Sequence, residues 1–398
     1  MKPYRVLVVE DHPFQHEYLL NIFSEAGDFK VDTVWDGKGA LECLARNYYD
    51  LILSDLLMPG MDGVQLIQNV AVQKRRPALA LMSASSRRML ISAGLAAKNL
   101  GISVVGLISK PVEINEVMRL KERMAIFRLN SERIPESPID IDPRSIESAM
   151  ENGQIQAWFQ PKKSLYNGNI VGAEALVRWA NPEIGLLMPK DFLPLLINQG
   201  LEERLLWLIL EQTLQAQTLW REQNWNIPVS INLPTHLLDS HDLADRLRDR
   251  VVAEGADTRS IVFELMESST TEELSSYYAG ACRLRMMGFG LAQDDFGKGF
   301  SSYFNLVSTP FSELKIDRSL VDGCVENENL ASALQSLVEL SRKLGLTVVA
   351  EGVETQAELA LLRRIKCDQV QGFLICAAVS SNDFETLLLD DGFKTTLE

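Results

Sequence analysis

An α/β chain in two parts is what the sequence predicts: a doubly wound parallel sheet, then an eight-stranded (β/α)8 barrel. Four observations predict it. Residues 1–125 hold five apolar runs alternating with amphipathic stretches, the pattern of a parallel sheet covered by helices on both faces. Residues 128–144, RLNSERIPESPIDIDPR, are polar and carry Pro135, Pro138 and Pro143, which is linker chemistry. The ~250 residues that follow match the usual size of such a barrel. Within 157–373, eight short strand-like runs nearly all end at or beside a group that binds a metal or an oxyanion. The expected division is therefore 1–127, a linker over 128–144, and 145–398.

In the first part the strands are read at Arg5–Val9, Val31–Val34, Leu51–Ser54, Ala78–Met82 and Val104–Ile108. Amphipathic stretches between them include Gln15–Ala26, Gly37–Ala45 and Val64–Val72. The functional crevice of such a sheet lies beyond the strand C-termini. There the sequence places Glu10 and Asp11, then Asp55 opening the turn D-L-L-M-P-G-M-D-G, then Ser83, then Lys110–Pro111. Three acids at one crevice make an oxygen site for a Mg2+ ion. A phosphoryl group on Asp55 would need a hydroxyl and a cation, which Ser83 and Lys110 supply.

The second part begins W-F-Q-P-K (158–162) and V-G-A-E-A-L-V-R-W (171–179), putting Gln160 and Glu174 on its first two strands. P-V-S-I-N-L (228–233) supplies Asn232, and I-V-F-E-L-M-E (261–267) supplies Glu264 and Glu267. L-A-Q-D-D-F-G-K-G (291–299) supplies Asp294 and Asp295 ahead of a glycine-rich loop. E-L-K-I-D-R (313–318), V-V-A-E-G-V-E (348–354) and Q-V-Q-G-F-L (369–374) supply Lys315, Glu351, Glu354 and Gln371. A closed parallel barrel brings its strand C-termini to one face. Carboxylates gathered there repel one another unless cations compensate them.

Bulk properties narrow the chemistry. The composition, 46% hydrophobic and 23% charged over 398 residues, is that of a globular protein with room for two cores. No apolar run approaches the ~20 residues that cross a bilayer, so no membrane insertion is expected. The opening MKPYRVLVVEDH runs directly into a strand pattern and is not read as a signal peptide. Cys43, Cys282, Cys324, Cys367 and Cys376 are scattered, with no C-x-x-C pair, and read as reduced cytoplasmic thiols. A net charge of −15 argues against a DNA-binding face. His12, His16, His236 and His241 form no zinc-type cluster, so an oxygen-rich site favours Mg2+, Mn2+ or Ca2+.

Glu174, Asn232, Glu264 and Asp294 offer oxygen ligands for one divalent ion. Asp295 and Glu351 extend the set to a second ion roughly 4 Å away. Lys315, the cation of the set, is placed to orient an attacking water or steady developing negative charge. Glu351 or Glu354 is placed to take the proton. Metal-assisted phosphoester hydrolysis uses every member. The D-F-G triplet by itself also occurs in protein kinases, but no H-R-D loop accompanies it. Glu267 reads as a loop anchor for 295–302, Lys298 as solvated, and Asp317 with Arg318 as a structural ion pair.

On Glu10, Asp11, Asp55, Ser83 and Lys110, residues 1–125 resemble the receiver domain of two-component response regulators, a flavodoxin-like fold. The resemblance implies that Asp55 accepts a phosphoryl group from a sensor histidine kinase or phosphotransfer protein, with Glu10 and Asp11 holding Mg2+. Leu107 stands where receivers often carry an aromatic switch residue. On Glu174-Ala175-Leu176, D-D-F-G, K-I-D-R and A-E-G-V-E-T, residues ~145–390 resemble the EAL family, TIM-type barrels that hydrolyse cyclic di-GMP to linear pGpG. This implies two Mg2+ or Mn2+ ions held by Glu174, Asn232, Glu264, Asp294, Asp295 and Glu351, with Lys315 orienting water. It further implies that Arg178 meets a substrate phosphate and that the chain forms a dimer or larger assembly.

Two departures stand out. Ala377 and Ala378 follow Q-G-F where the family carries a basic residue and proline, which bears on substrate affinity. Met266 replaces a common threonine. The alternative to an active enzyme is a catalytically silent cyclic di-GMP receptor switched by its receiver.

Overall fold

The computed structural model describes residues 3–73, 76–84, 87–133, 142, 145–266, 274–298 and 303–395. They form two compact units, residues 1–138 and 139–398.

The first unit is a five-stranded sheet of β1 (Tyr4–Val9), β2 (Phe29–Val34), β3 (Leu51–Asp55), β4 (Ala78–Ser83) and β5 (Val104–Ser109). The strands are parallel in the order β2-β1-β3-β4-β5. Successive side chains of a strand face opposite ways, and here both faces are covered. Val6, Val8, Leu51 and Leu53 pack with Leu19, Phe23, Val117 and Leu120 on one side. Leu7, Val9, Ile52 and Leu81 pack with Ala40, Leu66, Val70 and Leu90 on the other. Burial on both faces explains why these strands read as unbroken apolar runs.

The helices of this unit are α1 (Pro13–Ala26), α2 (Gly37–Arg46), α3 (Gly63–Ala71), α4 (Arg87–Asn99) and α5 (Ile114–Arg133). Asp36 caps α2 by accepting from the Gly39 N–H at 2.7 Å, and Asp62 with Gln65 forms a capping box on α3. Helix α5 runs to Arg133, six residues into the stretch read as linker from 128.

The barrel unit contains β6 (Ile155–Ser164), β7 (Ile170–Asn181), β8 (Gly185–Leu187), β9 (Val229–Asn232), β10 (Ile261–Met266), β11 (Gly290–Phe296), β12 (Glu313–Ile316), β13 (Thr347–Ala350) and β14 (Gln369–Val370). The order β6-β14-β13-β12-β11-β10-β9-β7 closes by β6 pairing with β7, and β8 adds a short edge to β7. From β7 through β9 to β14 the barrel neighbours are parallel. Strand β6 departs from the all-parallel expectation: it runs antiparallel to both β7 and β14. The physical reason is the five-residue connection 165–169, too short for a parallel crossover. Its Asn167-Gly168 step, with Gly168 at φ 77°, is hairpin chemistry.

Outside the barrel wall, helices such as Glu202–Glu222 and Glu328–Lys343 bury Leu214, Trp220, Leu334 and Val338 against Phe263, Leu291 and Val348. Trp220 meets Phe159 edge-on at 5.1 Å and Trp179 meets Phe192 at 5.7 Å, so both tryptophans pack. No helix among the described residues is long and apolar enough to cross a membrane.

Candidate functional site

In the first unit the crevice beyond the sheet holds the predicted set. Glu10, Asp11 and Asp55 each offer an oxygen within 4.8 Å of the others. Glu10 and Asp55 are buried while Asp11 is exposed, so the cluster opens to solvent on one side. Lys110 reaches back from the end of β5 to Glu10 Oε2 at 2.6 Å and also pairs with Asp55. Burial opposes the Lys110 charge, but the hydrogen bonds it donates to Asp55 and Glu10 outweigh it and hold the ammonium above its ordinary value.

The Leu57 N–H donates to Asp55 Oδ1 at 3.0 Å, which fixes the carboxylate. Ser83 is buried at the end of β4, and its carbonyl accepts from the Lys110 N–H at 2.9 Å. Gly63 lets the turn after Asp55 close: a Cβ there would stand 2.5 Å from the Asp55 carbonyl oxygen.

In the barrel unit Lys315 is the hub. It points inward from β12 and is 1% exposed. Its ammonium lies 2.6 Å from Glu264, 2.7 Å from Glu351, 3.0 Å from Asp294 and 3.2 Å from Glu174. Burial opposes this charge too, yet the surrounding carboxylates hold it well above the ordinary lysine range. Asp294, Asp295 and Glu351 bring oxygens within 4.8 Å of one another.

Burial pushes Glu351 up to about 8 with the like charges of Glu174, Asp294 and Glu264 adding to it, against the pull of Lys315. Burial also raises Asp295, although Lys298 pairs with it at 2.8 Å. Asp295 itself sits at φ 54°, an uncommon backbone for a residue with a side chain and one that clusters at functional sites. Gln371 donates to Glu174 Oε2 at 2.6 Å and to Gln160 Oε1 at 2.9 Å, and Gln160 donates to the Cys376 carbonyl at 3.0 Å. Gln160, Glu174, Asp294, Asp295, Lys315, Glu351 and Gln371 line a cleft of about 290 Å³ together with Arg318, Glu354 and the exposed Phe373, while Glu264 lies beneath it.

The donor set fits hard divalent cations. Asp294 Oδ1 is buried and accepts no hydrogen bond, although the Lys315 ammonium stands 3.0 Å away. Carboxylates outnumber the ammonium groups that face them, and every donor is an oxygen.

Some predicted residues lie apart. Asn232 is exposed at the end of β9, opposite Glu264 in register, and is not among the cleft-lining residues. Arg178 is buried and donates to the Val177 carbonyl at 2.8 Å rather than lining the cleft. Glu354 is exposed and tied to Arg318 at 2.8 Å. The expected Asp317–Arg318 pair is replaced: Asp317 caps the helix Arg318–Val321 through the Ser319 N–H, and Arg318 turns to Glu354. Gly352, at φ 66°, makes room, since a Cβ would stand 2.5 Å from Arg318 Cγ. Glu267 and residues 299–302 of its loop lie outside the described residues.

The sequence gives no site role to two residues that the fold brings there: Arg318 at the cleft, and Lys162, buried below it. The signal for Lys162 was strand alternation, because it follows Gln160 by two and so shares its face.

The EAL domain profile matches residues 144–378, and that of the response regulator receiver domain matches residues 6–121. The chain belongs to the EAL family. Along nearly its whole length this EAL protein is similar to the cyclic di-GMP phosphodiesterase RocR of Pseudomonas aeruginosa. The two are 29% identical over 388 residues, 96% of this chain and 98% of the relative. The oxygen sensor protein DosP of Escherichia coli is 37% identical over 231 residues, 58% of this chain but 29% of that protein. Among solved structures, the phosphodiesterase PaMucR in complex with c-di-GMP superposes with a TM-score of 0.57 at 32% identity. That match covers 61% of this chain and 98% of the other. The receiver and the EAL barrel are thus both present, in the order the motifs implied.

Proposed function

We propose that this EAL protein hydrolyses cyclic di-GMP to linear pGpG, and that phosphorylation of Asp55 by a histidine kinase or phosphotransfer protein sets its rate. The observation that carries the reading is the buried Lys315 ammonium ringed by Glu174, Glu264, Asp294 and Glu351 at the barrel mouth. Similarity to RocR along 98% of that relative supports the substrate.

Glu174, Asn232, Glu264, Asp294, Asp295 and Glu351 would hold two Mg2+ or Mn2+ ions, and Glu10, Asp11 and Asp55 would hold one in the receiver. Such ions supply Lewis acidity and lower the pKa of water. In the net reaction a water oxygen joins phosphorus, one ring P–O ester bond breaks, and the leaving sugar oxygen takes the water's proton to become a hydroxyl. Lys315 orients the water and steadies charge on the phosphate as the transition state forms. Glu351 suits the proton-accepting role better than Glu354, since it faces Lys315 within the cleft while Glu354 is committed to Arg318. Gln160 and Gln371, which line the cleft, are the substrate-contacting candidates, whereas Arg178 would have to leave the Val177 carbonyl to join them.

The test is product identification by chromatography after incubating the pure full chain with cyclic di-GMP and Mn2+, with and without acetyl phosphate. Formation of pGpG at an acetyl phosphate-dependent rate is expected. Tight cyclic di-GMP binding with no pGpG would overturn the enzymatic reading in favour of a receptor.

A further inference from the structure

The barrel carries a second buried lysine one step below the cleft. In most such barrels the interior is filled by branched apolar side chains. Here Lys162 points inward from β6, which runs antiparallel, so two residues beyond Gln160 means two residues deeper. It stands opposite Gly172, two before Glu174, and its stem would lie 3.6 Å from a Cβ at that glycine. Ser230 and Glu313 stand two residues before Asn232 and Lys315 on β9 and β12. Their side chains meet: the Lys162 ammonium donates to Ser230 Oγ at 2.6 Å and to Glu313 Oε1 at 2.5 Å.

The same ammonium reaches Glu264 Oε1 at 3.4 Å, while Lys315 holds Glu264 Oε2 at 2.6 Å. Glu264 is fully buried, and its two oxygens are divided between two cations, one from β6 and one from β12. A carboxylate clamped in this way cannot rotate to present another edge. Sealing a charge inside a protein costs free energy unless it is paired and hydrogen-bonded, and Lys162 meets both conditions.

We propose that Lys162, held by Glu313 and Ser230, is a positioning residue that fixes Glu264 for the divalent cation at the barrel mouth. It acts through Glu264 and touches no reacting atom. The inference rests on the metal-dependent reading above. Partners one step behind a metal ligand commonly govern affinity for the ion.

The experiment titrates Mn2+ into the full chain, by calorimetry and by Mn2+ activation of hydrolysis. It compares wild type with Lys162→Met, Lys162→Met/Glu313→Gln and Ser230→Ala. The double variant removes both buried charges together, so neither is stranded, and Ser230→Ala leaves every charge in place. The receiver contributes the same Mn2+ background throughout.

In the folded double variant Mn2+ affinity at the barrel is expected to fall about ten- to a hundredfold, with kcat recovering at saturating Mn2+. Ser230→Ala is expected to shift it in the same direction by less. A purely structural role would lower the melting temperature and leave Mn2+ affinity alone. Unchanged Mn2+ affinity in either folded variant overturns the proposal. If wild type made no pGpG while its Mn2+ affinity still depended on Lys162, the hydrolase reading would fall and this inference would stand.

Discussion

Both units set a lysine ammonium among carboxylates at the C-terminal side of a parallel sheet, yet the two lysines live in different surroundings. Lys110 lies past β5 with its side chain 11% exposed, facing two acids in a crevice that Asp11 opens to water. Lys315 lies within β12 with its side chain 1% exposed, facing four. The first arrangement is open to solvent on one side. The second holds charge in a sheltered, preorganised place, where an ammonium acts more strongly on a reacting phosphate. Position along the strand, rather than residue type, separates the two lysines: Lys110 follows its strand and is partly exposed, whereas Lys315 lies within its strand and is sealed.

That contrast can be broken most sharply at Lys315. Lys315→Ala is expected to lower kcat about 10²–10³-fold with little change in KM, read from steady-state hydrolysis of cyclic di-GMP. A defect confined to KM would make Lys315 a binding residue and erase its difference from Lys110. Next in size, Glu351→Gln is expected to reduce kcat about 10²-fold, and Glu354→Gln less than about tenfold. Equal losses would return the proton-accepting role to either residue.

On the receiver side the effects are regulatory and smaller. Asp55→Asn is expected to make hydrolysis insensitive to acetyl phosphate, whereas wild-type rates shift on its addition. Comparable responses in both proteins would detach the receiver pocket from the barrel. Smallest of all, Asp62→Ala removes the capping box of α3 beside the Asp55 turn. It is expected to cost about 1 kcal/mol of receiver stability in a urea melt. No change would mean that the cap is replaced by solvent.

Much of this was legible in the residues. Unbroken apolar runs such as Leu51–Asp55 mark strands covered on both faces, and acids placed immediately after such runs mark a functional rim. The antiparallel direction of β6 is written only in the Asn167-Gly168 turn, a two-residue signal set against the parallel pattern of the seven other strands. Arg318 was assigned to Asp317 by adjacency. In the fold, Asp317 turns to a backbone N–H and Arg318 crosses to Glu354 over Gly352.

By itself the sequence determined the order of strands and helices, the residues at their ends, and the oxygen-rich character of both sites. Those properties follow from short-range periodicity and from chemistry that each residue carries with it. Only the tertiary structure decided which ammonium meets which carboxylate. Lys162 reaches Glu313 across 151 residues and Lys315 reaches Glu264 across 51, through the closed interior of the barrel. No local pattern encodes such a contact. It exists because closing the sheet carries inward-facing side chains from distant strands to one axis, where burial makes each pairing matter.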